Sequence, residues 1–301
     1  MKHFLALKDV SGDELRDLIQ LGAELKDLRG TSAHPRPLTG QTWAMIFNKS
    51  STRTRVSFEV GVRELGGDVM MLSARDLQLG RGEPIKDTAR VLGRMVHGAI
   101  IRTFAQQDVV DFAHYAKVPT VNALTDGEHP CQVVADLLTI QEHAGGWEGK
   151  KIVYLGDGAN NMAYSWIWAS VKLGFQLVIS SPLGEQPDLQ NLGVSSDSPV
   201  SIEPDPKAAV READVLYTDV WVSMGQEDAG ETREQKMAPY QVNRALVEAT
   251  GKVPLVLHCL PAYRGKEIDE ETLEANATEI FDQAENRLHA QKAILLRLAE
   301  A

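Results

Sequence analysis

The sequence predicts an α/β protein of two doubly wound parallel-sheet domains. Three observations predict it. Short apolar runs alternate with stretches of helical periodicity, as expected for parallel strands covered by helices on both faces. The alternation breaks once, at Gly145-Gly146 and the following Gly149-Lys150, and then restarts. The length of 301 residues accommodates two domains of about 150 residues each. The expected domains are therefore residues 1–145 and 146–284, followed by a last helix over 285–301.

The first helix is signalled by Ser11 and Glu14 at capping-box spacing. Leu15, Leu18, Ile19, Gly22, Leu25 and Leu28 then recur at helical spacing, and Gly30 stops it. After a loop containing Pro35 and Pro37, residues 42–47 read as a buried strand and 52–65 as a helix stopped by Gly66-Gly67. Strands follow at 69–72, 99–102 and 120–123, and helices at 86–95, 109–116 and 130–143. Past the break come strand 151–155, helix 161–173, strand 176–180, helix 206–213, strand 215–218, helix 240–249, strand 255–257 and a last helix near 285–300. Residues 220–239, rich in Glu, Gln and Gly, read as a long irregular loop, and such loops suggest a mobile lid.

Composition narrows the function. Thirty-one basic against 42 acidic residues leave a net charge of −11, which argues against nucleic acid and against an anionic membrane surface. An anionic ligand would need a local cluster of Arg and backbone N–H groups. Two cysteines, Cys131 and Cys259, cannot build a disulfide framework or a structural zinc site; they read as free thiols in a reducing compartment. The N-terminal residues show no apolar signal segment, and no run approaches a membrane span. The expectation is a soluble cytoplasmic enzyme.

In open parallel sheets ligands sit beyond the carboxyl ends of the strands, and polar motifs recur there. Ser51-Thr52-Arg53-Thr54-Arg55 follows a strand and opens a helix. A lone Ser-Thr pair would be a cap, but a helix start with two arginines favours an oxyanion such as phosphate. Arg102 directly ends a buried run. In His129-Pro130-Cys131-Gln132 the imidazole and carboxamide are three residues apart and each can donate to a carbonyl. Gly156-Asp157-Gly158-Ala159-Asn160-Asn161 invites a dinucleotide reading, yet the third glycine position holds Asn161 and the next strand closes with Ser180-Ser181 and no acid. Asn161 instead suggests a hydrogen bond to a small polar ligand. Asp219, ending a strand, suits a cationic amine, and Ser223-Met224-Gly225 lies in the loop beyond it. His258-Cys259-Leu260-Pro261 lacks the companions of a metal site, and adjacent strand residues point to opposite faces, so His258 and Cys259 do not pair readily. Ala284-Glu285-Asn286-Arg287 adds one more Arg.

In this order and spacing, S-T-R-T-R, H-P-C-Q, D-x-x-x-S-M-G, H-C-L-P and A-E-N-R resemble the aspartate/ornithine transcarbamoylase family over nearly the whole chain. The resemblance implies an N-terminal carbamoyl-phosphate domain, a C-terminal amino-acid domain, a C-terminal helix over 285–301 that packs back on the N-terminal domain, and homotrimers with active sites between subunits. By it, Ser51, Thr52, Arg53 and Thr54 form the phosphate cradle, and Gln78 comes from a neighbouring subunit's loop. Arg102, His129 and Gln132 surround the carbamoyl carbonyl. Asn161, Asp219, Ser223 and Met224 form the ornithine site. Cys259, Leu260 and Arg287 complete the carbamoyl-phosphate contacts. Arg102, His129, Asp219 and Cys259 are the implied catalytic groups. The aspartate-using relatives carry a lysine in the loop near 78–84 and H-P-L-P; here that loop reads Leu77-Gln78-Leu79-Gly80-Arg81-Gly82-Glu83, and Cys259 replaces the proline. The resemblance thus implies transfer from carbamoyl phosphate to the δ-amine of L-ornithine in arginine biosynthesis, or the reverse, with no cofactor and no metal, because carbamoyl phosphate is already activated. A transcarbamoylase for another amine such as putrescine, or a non-catalytic binding paralogue, are the alternatives.

Overall fold

The computed structural model describes residues 1–49, 51–73, 83–222 and 230–300. The chain divides into two compact units, residues 1–138 with 285–301, and residues 139–284.

In the first unit, α1 (Gly12–Asp27) begins at Ser11, whose side chain accepts from the Glu14 N–H while the Glu14 carboxylate accepts from the Ser11 N–H. Both halves of the expected capping box are therefore present. Strand β1 (Thr42–Phe47), helix α2 (Thr52–Glu64), β2 (Asp68–Ser73), α3 (Ile85–Leu92), β3 (Gly98–Arg102), α4 (Gln106–Ala116), β4 (Thr120–Leu124) and α5 (Pro130–Ala144) follow. The four strands are parallel, in the order β2-β1-β3-β4. Ala44, Ile46, Ala99 and Ile101 pack with Ala89, Val109 and Phe112 of α3 and α4. Trp43 and Met45, pointing the other way along β1, are equally buried, so both faces of the sheet are covered. Gly98 is required where it stands: a Cβ there would lie 2.5 Å from the Trp43 ring.

The second unit carries β5 (Lys151–Leu155), α6 (Asn161–Leu173), β6 (Gln176–Ser180), β7 (Val200–Ile202), α7 (Pro206–Ala209), β8 (Val215–Thr218), α8 (Gly230–Met237), α9 (Arg244–Glu248), β9 (Leu255–His258) and α10 (Glu270–Ala275). Its sheet is also parallel, in the order β7-β6-β5-β8-β9. Val153, Leu216, Val256, Ile268 and Leu273 contribute to one buried cluster. Helix α11 (Ala277–Ala299) ends the chain, and its residues from Glu285 onward belong to the first unit.

Several stretches differ from the sequence expectation: β7 and α10 are additions to it, and the helix expected over 206–213 is only α7, Pro206–Ala209. Residues 230–237 are helical, not loop. The helix expected over 240–249 is split: Ala238–Tyr240 is a 3-10 turn, Val242 bridges Ile268, and Asn243 caps a short α9. The last helix starts at Ala277 rather than near 285. Among the described residues no helix is long and apolar enough to cross a membrane.

Candidate active site

In each sheet the strand order reverses once, and the polar motifs gather at those reversals. In the first unit the reversal lies between β1 and β3, where Phe47 is in register with Arg102 and the Asn48 N–H donates to the Arg102 carbonyl at 2.8 Å. Such switch points are where parallel sheets open a crevice for ligands.

Ser51 is the N-cap of α2, its hydroxyl accepting from the Thr54 N–H at 3.3 Å. The Thr54 hydroxyl is fully buried and collects three donors: Ser51 Oγ at 2.9 Å, Arg102 Nη1 at 3.2 Å, and Arg287 Nη2 from α11. One hydroxyl thus holds two guanidiniums at the start of α2, whose N–H groups and dipole favour an anion. Arg53 Nε and Gln132 Oε1 are buried without a hydrogen-bond partner among the described residues. A donor and an acceptor are therefore left for a ligand. Thr52 is exposed at the first position of α2.

His129 and Gln132 come in at the start of α5, both buried. Burial, reinforced by Arg287 and Arg102, holds the His129 imidazole well below its usual pKa. At neutral pH it is an uncharged hydrogen-bonding group beside two cations. Cys131, buried behind it, is pushed up to about 12, again mainly by burial, so it is an inert thiol.

In the second unit the reversal lies between β5 and β8. The turn after β5 does not present its N–H groups as a dinucleotide turn would. The Gly158 N–H is taken by Ser181 Oγ at 3.0 Å and the Glu185 carbonyl at 2.9 Å, and a Cβ at Gly158 would meet Ile179 and Pro187 at 2.9 Å. The loop after β6 closes over the place a pyrophosphate needs. Asn160, rather than Asn161, caps α6, accepting from the Ala163 N–H at 2.9 Å; Asn161 is the first helical residue.

Thr218 of β8 is in register with His258 of β9, which makes the next residues, Asp219 and Cys259, neighbours. The Cys259 thiol donates to Asp219 Oδ1 at 3.0 Å, and the Val220 N–H donates to the same oxygen at 2.7 Å. Burial pushes the Asp219 carboxyl up, against the opposing pull of His258, Cys259 and Val220. His258 points away from Cys259, as the strand alternation predicts. Its Nε2 meets the buried Glu267 carboxylate at 3.1 Å, while its Nδ1 accepts from the Leu260 N–H at 2.9 Å. The proton therefore sits on Nε2. This contact holds Leu260 in the left-handed region, φ 54°, ahead of the cis bond to Pro261.

Gln78, Ser223 and Met224 lie outside the described residues. Among those described, no three His, Cys, Asp or Glu side chains cluster as metal ligands would. Three further residues did not register as site components in the sequence. Asp136 accepts from Gln132 Nε2, and its signal was the i, i+4 spacing on one helix. Glu267 braces the 258–263 turn. Arg233 of α8 donates to the Trp221 carbonyl at 2.8 Å and pairs with Asp157 and Glu185, joining the loops after β5, β6 and β8.

Comparison with known proteins agrees with this layout. Residues 2–142 match the family described as aspartate/ornithine carbamoyltransferase, carbamoyl-P binding domain. Residues 148–298 match aspartate/ornithine carbamoyltransferase, Asp/Orn binding domain. An ornithine carbamoyltransferase of Akkermansia muciniphila is 57% identical over 100% of this chain and 99% of its own length. An anabolic ornithine carbamoyltransferase of Pseudomonas aeruginosa is 48% identical, over 100% and 98%. Among solved structures, the ornithine carbamoyltransferase of Pyrococcus furiosus superposes with TM-score 0.91 at 43% identity, covering 100% of this chain and 97% of that one. The anabolic enzyme of Campylobacter jejuni gives 0.92 at 40% identity, covering 100% and 99%.

Proposed function

The chain belongs to the aspartate/ornithine carbamoyltransferase family, and we propose that it transfers the carbamoyl group of carbamoyl phosphate to the δ-amine of L-ornithine, giving L-citrulline and phosphate in arginine biosynthesis. The observation that carries this reading is the half-site of the first unit. Arg53, Arg102 and Arg287 converge on the start of α2, with a neutral His129 and a Gln132 oxygen left as acceptor. A phosphate, a carbonyl oxygen and an NH2 group match that set, and carbamoyl phosphate carries all three. In this reading residues 1–145 hold carbamoyl phosphate and 146–284 hold ornithine.

The neutral δ-amine attacks the carbamoyl carbon, the new N–C bond forms, the C–O bond to phosphate breaks, and the nitrogen's surplus proton passes to the departing phosphate. Ser51, Thr52, Arg53 and Thr54 hold the phosphate as it gains charge, with Arg287 behind them. Arg102 and His129 stabilise the oxyanion of the tetrahedral intermediate; preorganised donors of this kind are worth several kcal/mol. The Gln132 oxygen receives the carbamoyl NH2. An amine of pKa near 10.4 costs roughly 4–5 kcal/mol to deprotonate at pH 7. Cys259 and Leu260 complete the carbamoyl-phosphate contacts; Asp219, with Asn161, Ser223 and Met224, orients the amine, and Asp219 with Cys259 eases loss of its proton.

Cys131 and Cys259, not joined by a disulfide, fit a cytoplasmic enzyme. Val56, Met70, Val91 and Met95, exposed apolar side chains of the first unit, fit a homotrimer in which Gln78 serves a neighbouring subunit. A citrulline assay with purified protein tests the reading. Product should form with ornithine and not with putrescine, which lacks the α-carboxylate. Carbamoylputrescine as the main product, or no product at all, would replace it.

A further inference from the structure

We propose that Glu128 is a positioning residue for His129: its carboxyl group ties the N-terminal segment to the turn that delivers the imidazole to the carbamoyl-phosphate half-site. The inference rests on the carbamoyltransferase reading above and adds to that site a residue which never touches substrate.

The segment is docked by its backbone. The Phe4 N–H donates to the Thr120 carbonyl at 2.9 Å, and the Asn122 N–H returns to the Phe4 carbonyl at 2.8 Å, so that Phe4 bridges Val121 beside β4. The Leu5 carbonyl then accepts from Gln106 Nε2 at 3.1 Å and Asn122 Nδ2 at 2.9 Å. Leu7 opens a 3-10 turn, Leu7–Asp9, and its N–H donates to Glu128 Oε2 at 2.7 Å, across 121 residues of sequence. Phe4 and Leu7 are fully buried and Glu128 is 5% exposed.

Glu128 is equally fixed from its own side. The Thr125 N–H donates to the Glu128 carbonyl at 3.0 Å, and the Glu128 N–H to Thr125 Oγ1 at 3.2 Å. Thr125 in turn donates to Gln106 Oε1 at 2.5 Å. One network therefore runs from the N-terminal segment through Gln106 and Thr125 to Glu128, and His129 is the next residue. A buried carboxyl group held on a backbone N–H costs desolvation, and an apolar side chain would fill the same space without that cost. What the carboxyl adds is an acceptor for the Leu7 N–H of the docked segment.

Docking also carries a proton. Burial pushes Glu128 up to about 7, with Lys8 and Asp9 the charged groups facing it. An undocked segment would expose the carboxyl and return it toward its ordinary value of 4.5. The docked form therefore holds a proton that the undocked form releases over that interval, and docking is tighter below pH 7 than above it.

The test is steady-state kinetics of the full chain between pH 6 and 8, for wild type, Glu128→Ala and Glu128→Gln. Glu128→Ala is expected to raise the carbamoyl phosphate KM and lower kcat by about tenfold each, near 1.4 kcal/mol apiece, with the ornithine KM within twofold. Glu128→Gln keeps an acceptor oxygen and should recover most of both losses. The ratio of the carbamoyl phosphate KM in wild type to that in Glu128→Gln should rise from pH 6 to 8, because only the wild-type group titrates. A Glu128→Ala enzyme within twofold in every constant overturns the proposal. So does a loss shared equally by both substrates and not recovered by Gln. If Glu128→Ala fails to fold, a flat ratio between pH 6 and 8 overturns it alone. A wild type that makes no citrulline removes the underlying reading first, and the two failures are thereby told apart.

Discussion

Gln132 donates from Nε2 to Asp136 Oδ1 at 2.8 Å, one turn further along α5. Both side chains are buried, 1% and 0% exposed. The bond settles which end of the carboxamide faces the half-site. The nitrogen is turned to the carboxylate, so Oε1 is the end offered to a ligand NH2 group.

Asp136→Ala should therefore hurt recognition as well as stability. It leaves a buried amide N–H without its acceptor, at a cost of about 1–3 kcal/mol, and frees the carboxamide to rotate. We expect kcat/KM for carbamoyl phosphate to fall about tenfold or more, with the ornithine KM nearly unchanged. Asp136→Asn, which keeps an acceptor oxygen, should be milder. Kinetic constants for carbamoyl phosphate equal to wild type in Asp136→Ala would remove the orienting role.

Arg233 makes a second prediction. It joins the Trp221 carbonyl, Asp157 and Glu185, and its side chain is 16% exposed against 4% for Asp157. Breaking such a buried pair from one side costs on the order of 3 kcal/mol. Burial already pushes Asp157 up to about 6, against the pull of Arg233, so without the arginine Asp157 would take up a proton more readily. Arg233→Ala should lower the unfolding midpoint and raise the ornithine KM, and both losses should shrink at pH 5. Thermal unfolding and kinetics at pH 5 and pH 8 check this.

Arg233 also illustrates what the sequence conceals. Elements built on apolar periodicity were legible: α1 shows its cap and its leucines, and β1, β5 and β6 show unbroken apolar runs. Helix α8 reads Gly-Glu-Thr-Arg-Glu-Gln-Lys-Met, with almost no apolar face to detect. Strand β7 is three residues at a sheet edge. The split at 238–248 follows from Pro239 and from the pairing of Val242 with Ile268, a contact 26 positions away in sequence. The candidate site was legible where polar residues end strands, as at Arg102, Asp219 and Cys259, which the sequence expects to contact substrate. Asp136, Glu128 and Glu267 were not, because each acts through a neighbour that only the fold supplies.

Acid should act on the first unit through the buried His289 and the half-buried His34. His34 Nε2 accepts from Lys292 Nζ at 3.0 Å, and burial with the Lys292 charge pushes the imidazole down. His289 is pushed down to about 4, first by burial and then by Lys292. Each is neutral in the fold where the unfolded chain would be protonated. Below about pH 6.5 the unfolded state binds more protons, and stability falls as pH falls, toward pH 4 for His289. Glu128 opposes this, since its raised value makes the fold bind the extra proton between 7 and 4.5. The variant comparison isolates the histidine. Between pH 7 and pH 5 the unfolding midpoint of His289→Gln should drop less than that of wild type. Equal drops in the two proteins would contradict the assignment.

Cys259 and Asp219 carry the last prediction. Both follow the registered pair Thr218 and His258, and the thiol donates to the carboxylate at 3.0 Å. The ornithine amine attacks directly, so no acyl-enzyme step is needed and Cys259 is not a nucleophile in this mechanism. A serine in its place keeps a donor to Asp219. Cys259→Ser should retain measurable turnover, raise the ornithine KM and shift the pH profile, because the thiol contact helps set the Asp219 charge. Asp219→Asn removes the carboxylate proposed to pair with the cationic amine. Its loss should be the larger, by about 100-fold in kcat/KM for ornithine, or near 3 kcal/mol. Carbamoyl phosphate binding should change little in either variant, since its cradle is assigned mainly to Ser51–Thr54, Arg102 and Arg287. Kinetics and carbamoyl phosphate titration of each variant provide the measurement. An inactive Cys259→Ser enzyme, together with a carbamoylated Cys259 trapped in wild type and seen by mass spectrometry, would overturn direct attack.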